Sequence, residues 1–486
     1  MAIIIPSYKE EVEILEASLR VLASHRYAKT SYDVFLAMEQ RDPNAAAVAT
    51  SLSHLFKHKF RDLQVTLHPS DIPGEAPGKS SNVSWAAKAV ERKYVNSSSW
   101  TDVLITVMDS DTHLLSKYFE LIFWHHLRSR GEIGLSDITF YMAPIVFDRN
   151  SNQVPRLVRM ADLMWCGAGL SCFNGTLRRN AVAIPTAVYT VSLSLACLAG
   201  GWDSGPEAIG EDMHMLLKCY FATGGHLHTI SIPSPASQCN VSTGKEGVRG
   251  WVANHQARYS QGLRHMWGSL DTGFAVRQWL RLSKPPETDD SRPSAREAPL
   301  PPHVLLRLKL GQYSSHRGEV NKYTWRNLIL FTRLFEAHFL PNHLFLVLVA
   351  SAVYASLPYP ISHCRILSIT LDITSYMRAI GFALMTIYFV IFYERYHQVC
   401  VEAREQEMRR VGLYEELEIE FSRRKRWTLA SIIDYFVFPI SGTVFGSVPL
   451  LQAIVSHFWT DKLVYVVSAK PVKAGGQGQK EQEANA

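Results

Sequence analysis

The Asp109-Ser110-Asp111 triplet follows the apolar run VLITVM, and Glu211-Asp212 follows the Gly- and Pro-containing stretch GWDSGPEAIG. A continuous apolar run is the signature of a strand buried on both faces of a parallel sheet. At the end of such a strand, side chains two residues apart address one place. Asp109 and Asp111 can therefore share a hard divalent cation, Mg2+ or Mn2+, which takes oxygen ligands and shares them with substrate phosphates. Asp212 opens a helical pattern through Phe221, where a carboxylate serves either as a helix cap or as a general base for a hydroxyl proton. Glu211 is the alternative base. Arg258-Tyr259 stands in WVANHQARYSQGLRHMW. That stretch reads equally as a diphosphate-binding Arg beside a stacking aromatic and as an amphipathic helix with an aromatic core face. Lys79 and Asn82 lie in PGEAPGKSSNVSWAAK, a loop running into a helix that can present amides and a charge to phosphate. Pro73 occupies the position where a Walker loop needs Gly, so ATP hydrolysis is unsupported.

The elements that must position these residues are visible upstream and between them. Short apolar runs at 2–6, 33–38, 63–67 and 102–108 alternate with helical patterns at 10–23 and 82–94. That alternation predicts a doubly wound α/β sheet with its site at the carboxyl ends of the strands. Residues 1–282 are expected to form this catalytic unit. A Pro- and charge-rich stretch opens a linker and interface segment over 283–325.

Composition restricts the remaining possibilities. A formal charge of +6 over 486 residues is mild, and no long basic run occurs in the first 300, so nucleic acid is not an expected partner. Seven cysteines without a C-x-x-C pair argue against both a zinc module and a disulfide framework, and favour a reducing, cytosolic setting. No signal-peptide pattern is visible at the N-terminus, and anchoring is expected to be C-terminal. Sequons at Asn82, Asn96, Asn174 and Asn240 read as chance occurrences.

Beyond residue 325 the chain becomes apolar. Runs at 341–357, 379–393 and 429–459 are candidate spans, since a crossing helix needs about 20 mostly apolar residues. The last contains Pro439, Gly442, Gly446 and Pro449 and reads as a broken or re-entrant helix. The 326–340 stretch suits a helix lying in the interface. The alternative is a soluble protein that buries these runs. A membrane-associated region over 326–460 would include a charged helix at 394–427 ending in RRKRW, which marks the cytosolic side. Residues 461–486 are expected to be a disordered tail.

Together these residues resemble the membrane-bound family 2 glycosyltransferases of the GT-A fold, the branch of cellulose, chitin and hyaluronan synthases and ceramide glucosyltransferase. The likeness rests on IIIPSYKE, MEQRD, GKSSN, Asp109-Ser110-Asp111, Asn174 to Arg179 and Glu211-Asp212, and it covers residues 2 to 270. It implies a nucleotide-sugar donor, most often UDP-linked, an acid at Glu39 or Asp42 for the nucleobase, metal at Asp109 and Asp111, and Asp212 as base. Substrate contacts would come from Lys79, Asn82, Asp109, Glu211, Arg258 and Tyr259. It also implies inversion by single displacement, a polysaccharide or lipid acceptor, contact with membrane lipids and a catalytic domain facing the cytosol. The family motif Q-x-x-R-W aligns with His255-Gln256-Ala257-Arg258-Tyr259, which departs at both ends. That departure supports sugar transfer more firmly than processive polymerisation. The competing expectation is a catalytically impaired relative with an assembly or regulatory role.

Overall fold

The computed structural model describes residues 1–95, 97, 100–129, 135–172, 182–281, 325–358, 364–417, 421, 429–460, 463, 468 and 470. The expected 283–325 linker, the Asn174 to Arg179 stretch and the RRKRW run lie outside the described residues, apart from Trp325.

The strands are β1 (Ala2–Ser7), β2 (Asp33–Glu39), β3 (Asp62–His68), β4 (Leu104–Val107), β5 (His113–Leu114), β6 (Thr139–Met142), β7 (Ile145–Phe147), β8 (Tyr189–Ser192), β9 (His228–Ser231) and β10 (Ala236–Gln238). Seven of them form one mixed sheet in the order β3-β2-β1-β4-β8-β6-β9, in which β8 runs antiparallel to both neighbours. A smaller sheet, β5-β10-β7, stands beside it.

Two-sided burial explains the unbroken apolar runs. Ile3 and Ile5 of β1 join one apolar cluster with Val34, Leu36 and Met38, whereas Ala2 and Ile4 join a second with Phe35 and Ala37. Helices Val12–Ala23, Ala45–Phe56 and Ser116–Ser129 cover the first face through Leu15, Leu52 and Tyr118. Helices Lys79–Tyr94 and Glu211–Ala222 cover the second through Val83 and Leu216. The predicted α/β sheet is present. Because β1 and β4 are parallel neighbours, their carboxyl ends open side by side, and the site lies there.

Among the described residues two helices are long and apolar enough to cross a membrane, Arg365–Arg410 and Ile432–Ser456, and the pair Trp325–His338 and Leu340–Ser356, bent by 51°, is a third if taken as one span. Only 6% of the apolar window of Arg365–Arg410 is buried. Ile369, Ile373, Ile380 and Leu384 are exposed, which is the reverse of what a buried helix of a soluble protein requires.

The 326–340 segment is helical and joined to the first apolar run through a bend of 51°. Two expectations are corrected here. The charged stretch from Glu394 continues the second apolar run through a π turn at Phe389–Tyr393, and that helix ends at Arg410 rather than running to 427. The last run is one continuous helix, not a broken one. Pro439 removes a backbone donor inside it, and the π turn at Thr443–Ser447 follows directly, absorbing the disrupted ladder without ending the helix.

Buried ion pairs fasten these helices to the sheet unit. Arg404 Nε lies 3.1 Å from Asp148 Oδ2, each side chain at most 1% exposed. Asp434, the lone acid of the last apolar run, pairs with Arg156 at 2.6 Å and Arg159 at 2.9 Å. All seven cysteines are free. Asn82 and Asn240 are buried, so those two sequons are not accessible sites.

Candidate active site

A cavity of about 480 Å³ opens at the carboxyl ends of β1 and β4. Its walls include Glu10, Glu39, Lys79, Asn82, Asp109, Asp111, Glu211 and Asp212, drawn from five separate stretches of the chain. β4 ends at Val107, and the Met108 N–H still donates to Ile4 O at 3.2 Å, so the next residues turn out over the sheet edge. The Thr112 N–H bonds back to Asp109 O at 3.0 Å and closes that turn. Asp109 and Asp111 thereby line the same cavity.

Lys79 organises the centre. It stands in the first turn of its helix, behind Gly78 at φ 155°, and its Nζ lies 2.8 Å from Asp109 Oδ1 and 3.2 Å from Glu211 Oε2. Burial opposes its charge, but Asp109, Glu211 and Asp212 outweigh burial and hold the ammonium firmly protonated. Burial likewise pushes Asp109 up, yet Lys79 and Lys470 bring its carboxyl below the usual range. Gln238 donates to Asp109 Oδ2 at 3.2 Å and to Thr112 Oγ1 at 3.0 Å. Tyr189 OH donates to Glu211 Oε1 and accepts from Trp202 Nε1 at 2.6 Å. Glu211 is therefore engaged on both oxygens.

Asp212 is different. Its Oδ1 accepts only the neighbouring Met213 N–H, at 2.9 Å. Burial, opposed by Lys79 and reinforced by Glu211, raises its carboxyl to about 7. That value gives a base about half ionised at neutral pH and basic enough to take a hydroxyl proton.

The other expected residues divide. Glu39 lines the cavity and is paired with Arg41. Asn82 lines it too, with its amide donating to Ala37 O at 2.6 Å, so it also fixes the end of β2. Asp42 does not reach the cavity wall. It accepts the N–H groups of Lys9 at 3.0 Å and Asn44 at 2.9 Å, stabilising the loop where Lys9 adopts φ 54°.

Arg258 and Tyr259 are also not brought to the cavity. Arg258 is fully buried against Asp162 at 3.0 Å, and Tyr259 OH donates to Gln452 Oε1 at 2.7 Å in the last apolar helix. The physical reason is helix phase. On helix Gly247–Trp267 the series Gly250, Asn254, Arg258, Gly262 and Met266 recurs every four residues and forms the packing stripe. Gly262 is essential to it, because a Cβ there would sit 2.5 Å from Phe445 O. The adjacent stripe of Gln261, Arg264 and His265 faces the cavity instead. Sequence reasoning placed the Q-x-x-R spacing one helical face away. Gln261 to Arg264 has that spacing outright, whereas position 255 needs His for Gln.

A second missed residue comes from the far end of the chain. Lys470, inside the stretch expected to be disordered, lines the cavity with its side chain largely covered. Its Nζ donates to Glu10 Oε1 at 2.7 Å and Ser110 Oγ at 2.8 Å and lies 3.2 Å from Asp111 Oδ1. Arg264 donates to Ser468 Oγ at 2.9 Å nearby. Three oxygen partners for one ammonium are a strong local tether, so Lys470 is a placed residue. No local sequence signal pairs position 470 with position 10.

Asp109 and Asp111 fit a divalent cation in part. They face one cavity, Asp109 is held ionised, and a cation is already favoured beside Asp111. Among the described residues no cluster of three His, Cys, Asp or Glu forms a closed site. Two protein carboxylates with the remaining ligands from phosphate and water is the arrangement Mg2+ usually takes.

A family model described as glycosyl transferase family group 2 matches residues 104–394, more than half of the chain. Among solved structures, the mannosyltransferase PcManGT from Pyrobaculum calidifontis, in complex with GDP-Man and Mn2+, is 12% identical over 86% of this chain and 87% of that one, with a TM-score of 0.38. TarS 1–349 from S. aureus, in complex with UDP-GlcNAc, is 12% identical over 57% of this chain and 69% of that one, with a TM-score of 0.34. No curated protein matches. The sheet order, the cavity and the family match converge on one conclusion: the chain belongs to glycosyl transferase family group 2 and is a glycosyltransferase.

Proposed function

We propose that this protein transfers a sugar with inversion from a nucleotide-diphosphate donor, a UDP-sugar in this reading, to a polysaccharide or lipid acceptor at the cytosolic face of a membrane. The observation that carries the reading is the convergence of Asp109, Asp111, Lys79, Glu211 and Asp212 on one cavity, with Asp212 raised to about 7. In this reading the chain divides into a catalytic unit over 1–282, a linker to 325, a membrane region to 460 and a tail that returns to the site. It belongs with the membrane-bound synthase and ceramide glucosyltransferase branch.

The acceptor hydroxyl oxygen attacks the anomeric carbon as the bond from that carbon to the diphosphate oxygen breaks. Asp212 takes the hydroxyl proton, and the electron pair leaves with the nucleoside diphosphate. Lys79, Lys470 and Arg264 meet the charge that develops there. Mg2+ or Mn2+ held by Asp109 and Asp111 would supply further charge stabilisation at the diphosphate. Glu39, which lines the cavity, would meet the nucleobase in this reading.

The cavity wall also supports an acceptor at the membrane boundary. Besides Asp212 it includes the apolar Trp165, Ala168 and Ile184 together with His338 and Pro341, where the first apolar helix begins. Purified full-length protein with a panel of UDP-sugars, Mn2+ and added lipid acceptors tests the reading through release of UDP. Asp212→Asn should lower turnover about 10²- to 10⁴-fold. Wild-type protein that turns over no donor, or a variant as active as wild type, refutes it.

A further inference from the structure

Asp212 stands on the first turn of helix Glu211–Ala222, so the setting of that helix fixes where the base points. Two residues along a helix is about 200° of rotation, and His214 accordingly faces away from the cavity, into the protein. Its Nδ1 lies 2.6 Å from Asp271 Oδ1 and its Nε2 2.9 Å from Asp203 Oδ2. An ionised carboxylate only accepts, so both ring nitrogens must donate, and only the imidazolium has two N–H groups.

Each partner leads to a different wall of the site. Asp271 is fully buried in the first turn of helix Leu270–Arg281. There the base helix comes so close that a Cβ on Gly210 would sit 2.8 Å from Asp271 Oδ2. Asp203 follows Gly200 and Gly201, at φ 80° and 73°, in the Gly-rich loop. The backbone of that loop accepts from Ser80 Oγ at Asp203 O, 2.6 Å away, and from the Ala76 N–H at Ser204 O, 2.7 Å away. The loop is thus joined to the start of the helix that carries Lys79.

We propose that His214, as an imidazolium between Asp271 and Asp203, is a positioning residue that braces the base helix against the Lys79 side of the cavity and so holds Asp212 in register with the donor. The proposal rests on Asp212 being the base. His214 does not line the cavity itself, although Asp271 does, and its ring joins one fully buried carboxylate to one that is partly exposed.

The charge on the ring is stable at neutral pH. Burial disfavours the imidazolium, but the bonds to Asp203 and Asp271 outweigh burial and raise its pKa to about 9. The other charged groups nearby are Lys218, which bonds Asp203 Oδ1, and Glu207, which acts on Asp271. Phe274 packs on the ring at 4.4 Å. Because the folded value lies above the ordinary 6.5, the imidazolium is kept below it and lost as pH rises through about 9, while burial raises the Asp271 carboxyl to about 6, so the charged pair is complete between those two values.

The test uses full-length protein in lipid nanodiscs and measures UDP release between about pH 6 and 10, for wild type, His214→Gln, Asp203→Asn and Asp212→Asn. Binding of UDP with Mn2+ reports that each variant is folded. His214→Gln should lower kcat about tenfold or more while donor KM stays within about twofold, and it should lack the decline near pH 9 that wild type shows. Asp203→Asn should fall less in kcat and decline at lower pH than wild type. Unchanged kcat in His214→Gln, a donor KM that rises in step with the loss of kcat, or a decline near pH 9 that persists in this variant overturns the proposal. Should His214→Gln not bind UDP, Asp203→Asn decides, and a decline at the wild-type pH overturns the proposal. Full turnover by Asp212→Asn instead overturns the base assignment and this proposal with it.

Discussion

Lys79 should set the pH at which this enzyme switches on. The base must be ionised to accept a proton, so kcat/KM is expected to rise through about pH 7, where the Asp212 carboxyl titrates. Burial holds that value up, and Lys79 is the strongest influence holding it down. An opposite charge in the same site is worth about 1–3 pKa units to a carboxylate. Lys79→Met should therefore move the acid limb of kcat/KM to higher pH by about 1–3 units, and activity at pH 7, where the wild-type base is half ionised, should fall about 5- to 500-fold. Glu211→Gln removes a like charge and should move the same limb to lower pH. The kcat/KM profile is the right measure because it reports groups in the free enzyme, the state in which these partners face each other. Lys79 also pairs with Asp109 at 2.8 Å, so a rise in donor KM is expected as well, and only the position of the limb tests the argument. An acid limb that stays in place in both variants, or shifts in the same direction in both, would refute the reasoning.

Other consequences follow from the packing. Gly262→Ala puts a Cβ 2.5 Å from Phe445 O, and overpacking of this kind should cost about 1–3 kcal/mol, read as a lower Tm in detergent. Arg404→Met strands the buried Asp148 carboxylate and should cost about 3–5 kcal/mol; pairing it with Asp148→Asn should recover most of that loss in the same Tm measurement. Lys470→Ala removes an ammonium from Glu10, Ser110 and Asp111. It should weaken UDP binding by calorimetry about tenfold, the scale of one charge-assisted contact, and unchanged binding would mean that Lys470 leaves the site when nucleotide enters.

Much of the catalytic unit was legible because its signals are local. The runs at 2–6, 33–38, 63–67 and 102–108 became β1 to β4, and the two sides of each strand found separate cores. Asp109 and Asp111 lie past a strand end and Asp212 at a helix start, as their flanking sequence implied. The misplacement of Arg258 and Tyr259 has the opposite origin. Both stripes of helix Gly247–Trp267 carry an Arg, Arg258 on one and Arg264 on the other, so periodicity alone could not say which faced the cavity. Asp42 was misplaced for a similar reason, since an acid in a tight loop serves backbone N–H groups as readily as a ligand.

The sequence by itself determined the order of strands and helices, the α/β class, the apolar helices at the C-terminal end and the identity of the acids beside Lys79. Those follow from patterns two to four residues long, which the backbone reads locally. Only the tertiary structure decided which face of the Arg-bearing helix meets the cavity, that Lys470 returns across the chain to Glu10 and Asp111, and that His214 stands between Asp203 and Asp271. Helix phase and long-range pairing are set by what packs against an element, and a close approach such as Gly262 on Phe445 O exists only once both partners are in place.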